Sequence, residues 1–187
     1  MRITDLLDAR SVSLTSSPKT KSEALDQAVA LMTKSGKIND EEAKSIVAIL
    51  RACIEQPEYQ GETFGVISLL GEEQAELIQK YISEQISPII IEERRILCGT
   101  AAQFQGDERN VIFLSMVDSN DKEGPMRKVG SGIEESTMQR YNVAVSRARD
   151  QLWIVHSLDY KTDLQAGDIR RDFLEYADNP DAAIGAS

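Results

Sequence analysis

Short continuous runs of apolar residues recur along the chain, and most of them have the length of a β-strand. Such runs are typical of parallel strands that helices cover on both faces. They occupy residues 63–70, 95–100, 111–117 and 152–155, with a three-residue run at 89–91. The pattern therefore predicts a mainly parallel sheet.

Apolar stripes at helical spacing separate these runs. They predict helices over residues 21–34, 39–55, 71–84, 137–148 and 168–176. Strands that alternate with helices indicate an α/β fold, with a parallel sheet flanked by helices. Ligands of such sheets bind at the carboxyl ends of the strands, where the segments that follow residues 100 and 117 lie.

The helical and strand patterns divide the chain into three parts. Residues 1–35 are weakly organised, and a Ser/Thr-rich stretch precedes their one predicted helix. Residues 36–178 carry the α/β pattern and are predicted to form one domain, and 179–187 form a tail. Within the domain, residues 118–135 are rich in Gly, Ser and charged residues and are predicted to form a long surface loop.

Composition narrows the class of protein. No apolar run approaches the roughly 20 residues that a membrane span requires, and the amino terminus lacks the layout of a signal peptide. The cysteines, Cys53 and Cys98, form no Cys-x-x-Cys pair, and His156 is the single histidine. We therefore expect a cytoplasmic protein with no metal site and no membrane contact. The net charge of −10 argues against broad nucleic-acid binding but allows a narrow track.

Residues 139–149 combine three arginines with a helical pattern and precede an apolar run. Arg140 and Arg147 lie seven residues apart, so a helix would place both on one face. The planar fork of a guanidinium suits phosphate oxygens. The segment predicts a rigid helix that presents arginines to an anion, although spacing alone also allows a solvated amphipathic helix.

A second polar segment lies between residues 100 and 110. Phe104 can anchor it, Gln105 offers a donor and an acceptor, Gly106 permits a tight turn, and Glu108 can accept from a sugar hydroxyl. Alone, this Phe-Gln-Gly-x-Glu string is a weak signal and is more typical of a polar turn.

Together, these segments resemble the second RecA-like domain of superfamily 1 helicases. The branch that fits best has an "FQGxE" motif V and an "NVAxSRAR" motif VI. The resemblance covers about residues 37–176, since each motif adjoins an apolar run. It implies a RecA-like P-loop NTPase fold that lacks the Walker A domain.

The resemblance assigns four residues to the nucleotide. Arg147 matches the motif VI arginine that reaches the γ-phosphate of ATP across the domain cleft, and Arg140 would support it. Glu108 matches the glutamate that contacts the ribose, and Gly106 belongs to the adjacent turn. Arg149 is expected to be an ion-pairing or structural residue.

The resemblance assigns three further residues to the nucleic acid. Thr100 matches the motif V hydroxyl that faces a backbone phosphate of the single strand, and Ser68 ends the motif IV strand. Gln105 belongs to the turn that couples nucleotide to nucleic acid. Such phosphate contacts fix position and do not read sequence. The expected track is single-stranded DNA rather than RNA.

Two departures weaken parts of this assignment. The motif IV arginine of relatives is absent from residues 68–74, and Ala102 stands where many relatives have Asp. The sequence also contains no Gly-x-x-x-x-Gly-Lys-Ser/Thr string. ATP and Mg²⁺ would thus be held mainly by a first RecA-like domain, supplied in cis or in trans, and the chain alone should not hydrolyse ATP.

Three functions remain open at this point. The leading one is the C-terminal motor domain of an ATP-dependent helicase, which supplies the arginine finger and part of the single-strand track. The alternative is an orphaned or degenerate RecA-like module that binds nucleic acid or a protein partner without ATPase activity. An unrelated α/β domain of signalling type would leave the arginine segment and the Phe-Gln-Gly-x-Glu loop as coincidences.

Overall fold

The computed structural model describes residues 39–69, 71–116, 126 and 134–178, with the backbone alone for 134–136. The predicted helix over 21–34, the rest of the amino-terminal segment, the tail and almost all of the predicted loop over 118–135 lie outside the described residues. All statements below concern the described part of the chain.

Helices and strands alternate along the described residues. The helices are α1 Asp40–Glu55, α2 Glu72–Gln85, α3 Pro88–Glu93, α4 Glu134–Val145, α5 Tyr160–Asp163 and α6 Ile169–Asp178. The strands are β1 Phe64–Ser68, β2 Leu97–Thr100, β3 Arg109–Ser115 and β4 Ala148–Val155. Two 3₁₀ turns, Pro57–Tyr59 and Ala101–Phe104, precede β1 and follow β2.

The four strands form one sheet in the order β2-β1-β3-β4, and every pairing is parallel. The register aligns the carboxyl ends of the central strands, because Ser68 pairs with Thr100 on one side and with Ser115 on the other. This arrangement confirms the predicted α/β fold and is consistent with a RecA-like fold.

Helices cover both faces of the sheet. On one face α1 and α2 pack against alternate residues of β1 and β3, including Phe64, Val66 and Phe113. The apolar stripe of α1 predicted from the sequence is fully buried there, and it comprises Ala43, Ile46, Val47 and Leu50. On the other face, residues of α4 and α6 pack against Ile67, Ile112 and Leu114.

Local sequence sets the start of α1. The side chain of Asn39 accepts a hydrogen bond from the backbone N–H of Glu42, and three acidic residues occupy the first turn. Both features stabilise a helix amino terminus, because that end has unpaired N–H groups and a partial positive charge. The predicted helix over 39–55 is confirmed.

The apolar run at 89–91 belongs to a helix and not to a strand. Ser87 caps the helix by accepting from the N–H of Ile90, and Pro88 occupies its first turn. Proline is well suited to that position, where no N–H is needed. Ile89 is 77% exposed, so the run is not buried on all sides.

The predicted arginine helix over 137–148 extends too far at its carboxyl end. Helix α4 ends at Val145, Ser146 and Arg147 form a turn, and β4 begins at Ala148, four residues before the predicted strand. Strand pairing explains the difference, because the N–H of Arg109 donates to the carbonyl of Arg147 at 3.0 Å. Arg140 and Arg147 therefore do not share a helix face.

In the described residues, no helix is both long and apolar enough to cross a bilayer.

Candidate functional site

The residues singled out from the sequence lie at two opposite ends of the sheet. Ser68 and Thr100 close β1 and β2 at the carboxyl end. Glu108 immediately precedes β3, and Arg147 immediately precedes β4, at the amino end. Because all the strands are parallel, the backbones of these two pairs are separated by about the length of the strands. The side chain of Arg147 nevertheless turns back along α4 toward Val143.

A cavity of about 500 Å³ opens at the carboxyl end of the sheet. Its walls come from the end of β1, the start of α2, the 3₁₀ turn after β2, and α4. The lining residues are Ser68, Leu69, Gly71, Glu72, Thr100, Ala101, Ala102, Gln105, Gln139, Arg140 and Val143. The cavity therefore brings together the three residues predicted for nucleic acid with Arg140.

Ser68 forms part of the wall of this cavity. The residue is 1% exposed, and its hydroxyl has no hydrogen-bond partner among the described residues. A buried hydroxyl without a partner costs free energy, and an ordered water or an ion often satisfies such a group.

The loop after β2 is held in place by the buried ring of Phe104, by a hydrogen bond within its 3₁₀ turn and by a turn at Gly106. The N–H of Thr100 donates to the side chain of Gln103 at 2.8 Å, and the Phe104 ring is fully buried. Gly65 on β1 makes room for this ring, since a Cβ at that position would lie 2.7 Å from it. Gly106 has a φ of +82°, which favours glycine, and exposed Gln105 lies between the ring and that turn.

Arg140 lies at the cavity. Its Nη1 donates to the carbonyl of Leu69 at 3.0 Å, which ties the middle of α4 to the end of β1. Arg140 thus lies near Ser68 and Thr100, whereas the resemblance assigned it to the nucleotide with Arg147.

The amino end of the sheet holds a second cluster. The carboxylate of Glu108 accepts from Nε of Arg149 at 3.0 Å, so the ion pair predicted for Arg149 is confirmed. The backbone of Arg147 lies beside this pair, because its carbonyl accepts from the N–H of Arg109. Glu108, Arg147 and Arg149 are therefore neighbours at the amino end of the sheet.

The Arg147 side chain turns back onto the end of α4. Its Nε donates to the carbonyl of Val143 at 3.2 Å, and its Nη2 donates to the hydroxyl of Ser146 at 2.9 Å. That hydroxyl donates in turn to the carbonyl of Val143 at 2.9 Å. The last carbonyls of a helix carry partial negative charge, which favours a guanidinium there.

Ser146 is a residue that sequence reasoning did not single out. We expect Ser146→Ala to leave the fold intact and to loosen the Arg147 side chain, since the substitution removes the hydroxyl that holds Nη2 and leaves only the bond from Nε to the Val143 carbonyl among the described contacts. The heteronuclear NOE of the Arg147 Nε–Hε group should fall, while Ser146→Thr should retain the wild-type value. A side chain equally mobile in all three proteins would contradict this role.

Arg109 was also missed, and it organises the turn that carries Glu108. It is 5% exposed, and its guanidinium donates to the carbonyls of Arg95 at 2.7 Å and Glu108 at 2.8 Å. The same guanidinium pairs with Asp107, and that hydrogen bond lowers the pKa of the Asp107 carboxyl below its usual value. No pattern in the sequence distinguishes this buried arginine from a surface one.

Comparison with known families agrees with this architecture. A family model described as an AAA domain matches residues 8–159, which include the whole sheet, the cavity and the cluster at the amino end. No curated protein matches the chain. The matching family is associated with the C-terminal regions of superfamily 1 helicases. The chain therefore belongs to this AAA-domain family.

Proposed function

We propose that this chain is the C-terminal motor domain of an ATP-dependent superfamily 1 helicase. In this proposal it supplies the arginine finger and part of a single-stranded nucleic-acid track. The observation that carries the proposal is that one sheet holds both the cluster of Glu108, Arg147 and Arg149 and the cavity that Ser68, Thr100 and Gln105 line. A motor of this kind needs a surface that contacts the nucleotide, here called the nucleotide face, and a surface that contacts the nucleic-acid strand, here called the strand face. Both must belong to the same rigid body, because domain closure around the nucleotide then moves the bound strand.

The amino-end cluster has the chemistry that a nucleotide face requires. Nη1 of Arg147 makes no hydrogen bond to the described residues, so part of its fork remains available to an anion. Glu108 accepts from Arg149 through one oxygen and is 44% exposed, which leaves the other oxygen for a ribose hydroxyl. The adjacent Gly106 turn is exposed. These groups suit the γ-phosphate and the ribose of ATP. They cannot hold the nucleotide without the first RecA-like domain.

In the proposed reaction, a first RecA-like domain would hold ATP and Mg²⁺, and Mg²⁺ would offset charge on the phosphates. Closure of the two domains would carry Arg147 to the γ-phosphate. Fixed positive charge there stabilises the charge that develops in the transition state. The bonds to Ser146 and Val143 would orient the guanidinium before closure.

The carboxyl-end cavity has the chemistry of the strand face. Thr100 and Gln105 line this cavity with polar side chains, and Ser68 lines it with its hydroxyl buried. Such donors contact backbone phosphates without reading sequence, which suits a translocating motor. Single-stranded DNA is the track we propose.

A module without ATPase activity is the alternative. It is favoured by the absence of the motif IV arginine from residues 68–74 and of a Walker loop from this sequence. DNA-stimulated ATP hydrolysis by this chain joined to its first motor domain would reject the alternative. No hydrolysis by that assembly would reject the motor.

Thr100→Val tests the strand face separately from the chemistry. In the two-domain assembly, we expect it to lower DNA-stimulated ATPase by about tenfold, because it removes one charge-assisted phosphate contact worth about 1.5–3 kcal/mol. Basal ATPase should stay near the wild-type value. Thr162→Val is the matched control, since the exposed Thr162 hydroxyl donates to the nearby carbonyl of Asp159 and, within the described part of the chain, to no other group. Equal losses of basal and stimulated rates would contradict the phosphate role.

A further inference from the structure

We propose that a groove between the 3₁₀ turn Pro57–Tyr59 and the start of β4 docks a peptide segment of a partner protein through an arginine side chain. The groove has a volume of about 470 Å³, which is within the range of roughly 300–1,000 Å³ that ligand pockets occupy. The residues that line it have no part in the nucleotide face or the strand face, so the proposal goes beyond the proposed function.

The wall of this groove is largely apolar and is held in shape by hydrogen bonds. Val111 of β3 and the ring of Tyr59 line it, and that ring also packs on Phe64 with centroids 6.1 Å apart. The Tyr59 hydroxyl donates to Oε1 of Gln151 at 2.8 Å, which ties the 3₁₀ turn to β4. The groove therefore exists without a ligand.

Trp153 extends the apolar surface along β4. Its side chain is 39% exposed, and its Nε1–H donates to the same oxygen of Gln151 at 3.4 Å. Tryptophan and tyrosine are enriched among the residues that contribute most to protein–protein binding. An exposed tryptophan beside a preformed groove therefore favours a protein as the occupant.

Carboxylates surround the apolar wall. Glu58, Glu62 and Asp150 line the groove, and none of its lining residues in the described part of the chain is a cation. None of the three carboxylates forms a salt bridge with a described residue. Their mutual repulsion falls when a positive charge enters, whereas a nucleic acid would be repelled. The charge thus fits a basic peptide.

Asp150 is fixed at the groove by the neighbouring strand. Asn110 of β3 faces two residues of β4, Arg149 and Asp150, because the pairing of the strands shifts by one residue there. Such bulges re-aim side chains and are common beside functional sites. The Nδ2 of Asn110 donates to Oδ2 of Asp150 at 2.8 Å. This bond orients the carboxylate and leaves Oδ1 for a ligand.

An arginine uses this combination of groups better than a lysine. Its planar guanidinium makes paired hydrogen bonds to carboxylates and stacks on aromatic rings. Its long apolar stem can cover a surface such as Val111 and the Tyr59 ring. The groove offers both kinds of contact, since carboxylates border an aromatic wall.

The test measures binding of a fluorescein-labelled Ser-Gly-Arg-Tyr-Arg-Gly-Ser peptide to the full 187-residue chain by anisotropy. Glu58→Gln with Asp150→Asn should weaken binding about fivefold, the scale of two partly exposed ion pairs. The matched control is Glu41→Gln with Glu84→Gln, which changes the net charge equally at carboxylates that are 89% and 54% exposed outside the groove. The control should stay close to the wild-type affinity.

A second measurement leaves the protein unaltered and changes the peptide. Citrulline in place of both arginines removes the charge and keeps the shape, and it should abolish most of the binding. Lysine in place of both arginines should bind more weakly than arginine. Amide chemical shifts of Val111 and Gln151 should move on addition of the arginine peptide.

Three results would overturn the proposal. They are equal losses in the two double variants, equal affinities for the arginine and citrulline peptides, and no binding of the arginine peptide to the wild-type chain. Peptide binding requires neither ATP nor a first RecA-like domain. Each of these failures therefore leaves the motor proposal standing, and a two-domain assembly without ATPase activity leaves the peptide groove standing.

Discussion

Arg147→Ala is expected to lower the ATPase turnover of the two-domain assembly by about 10³-fold or more, the scale of an arginine finger. ATP binding should change little, because the finger acts on charge that develops mainly in the transition state. The measurement is kcat and KM together with nucleotide affinity from equilibrium binding. A loss confined to kcat is the signature of an interaction made in the transition state.

Arg149→Ala is the matched control for this experiment. Arg149 lies two residues further along the chain at the same edge, but its Nε pairs with Glu108 and its side chain is 62% exposed. We expect at most a tenfold effect, mainly on KM, since the substitution frees Glu108 without removing it. Arg147→Lys keeps the positive charge and loses the planar guanidinium with its paired N–H donors, so its activity should lie between those of Arg147→Ala and the wild type. Turnover unchanged by Arg147→Ala would remove the motor assignment.

The result also bears on the alternative of a binding module. A degenerate module would show no dependence on Arg147, although its cavity could still bind a strand. The two roles can therefore be tested with separate substitutions, Arg147→Ala for ATP turnover and Thr100→Val for stimulation by DNA.

Much of the fold could be predicted because local patterns decide it. The stripe of α1 with its Asn39 cap, and the apolar runs that became β1 and β3, need only their own segments to be recognised. Alternation of these elements then leads to a parallel sheet. The carboxyl-end position of Thr100 follows from the same rule.

The junction between α4 and β4 could not be predicted in this way. Ala148 and Arg149 continue the helical pattern of the preceding segment, but pairing with β3 draws them into the sheet. Hydrogen bonds between segments some 40 residues apart are invisible to a local pattern. This single boundary error led to the expectation that Arg140 and Arg147 share a helix face.

Other contacts were missed because they depend on distant or unremarkable residues. Ser146 holds Arg147 through a hydroxyl that could equally face solvent. Gly65 accommodates the Phe104 ring, which lies 39 positions away in the sequence. Arg109 is buried by the turn that it organises. In each case the role depends on the assembled fold.

Arg170→Met is expected to have the largest effect on stability, a loss of about 3–5 kcal/mol in the free energy of unfolding. Arg170 is 3% exposed, and its Nε and Nη2 donate to the two oxygens of Asp168 at 2.9 and 2.7 Å. The substitution removes this guanidinium from a fully buried carboxylate at the start of α6. Urea unfolding of the 187-residue chain measures the change.

The neighbouring Arg171→Met provides the control, because Arg171 pairs with Glu175 near the surface and such pairs contribute about 0.3–0.5 kcal/mol. Replacement of both partners, Asp168→Leu with Arg170→Met, should recover part of the lost stability, since neither charge of this pair then stays buried. The recovery should be incomplete, because the Asp168 side chain also accepts from the N–H of Arg170 at the start of α6. Equal losses for Arg170→Met and Arg171→Met would contradict the argument.

The buried pair also supports the strand face indirectly. Helix α6 places Phe173 against Tyr141 of α4, with ring centroids 5.2 Å apart, and α4 carries Arg140. Destabilisation of α6 should therefore weaken oligothymidine binding in Arg170→Met and leave it unchanged in Arg171→Met.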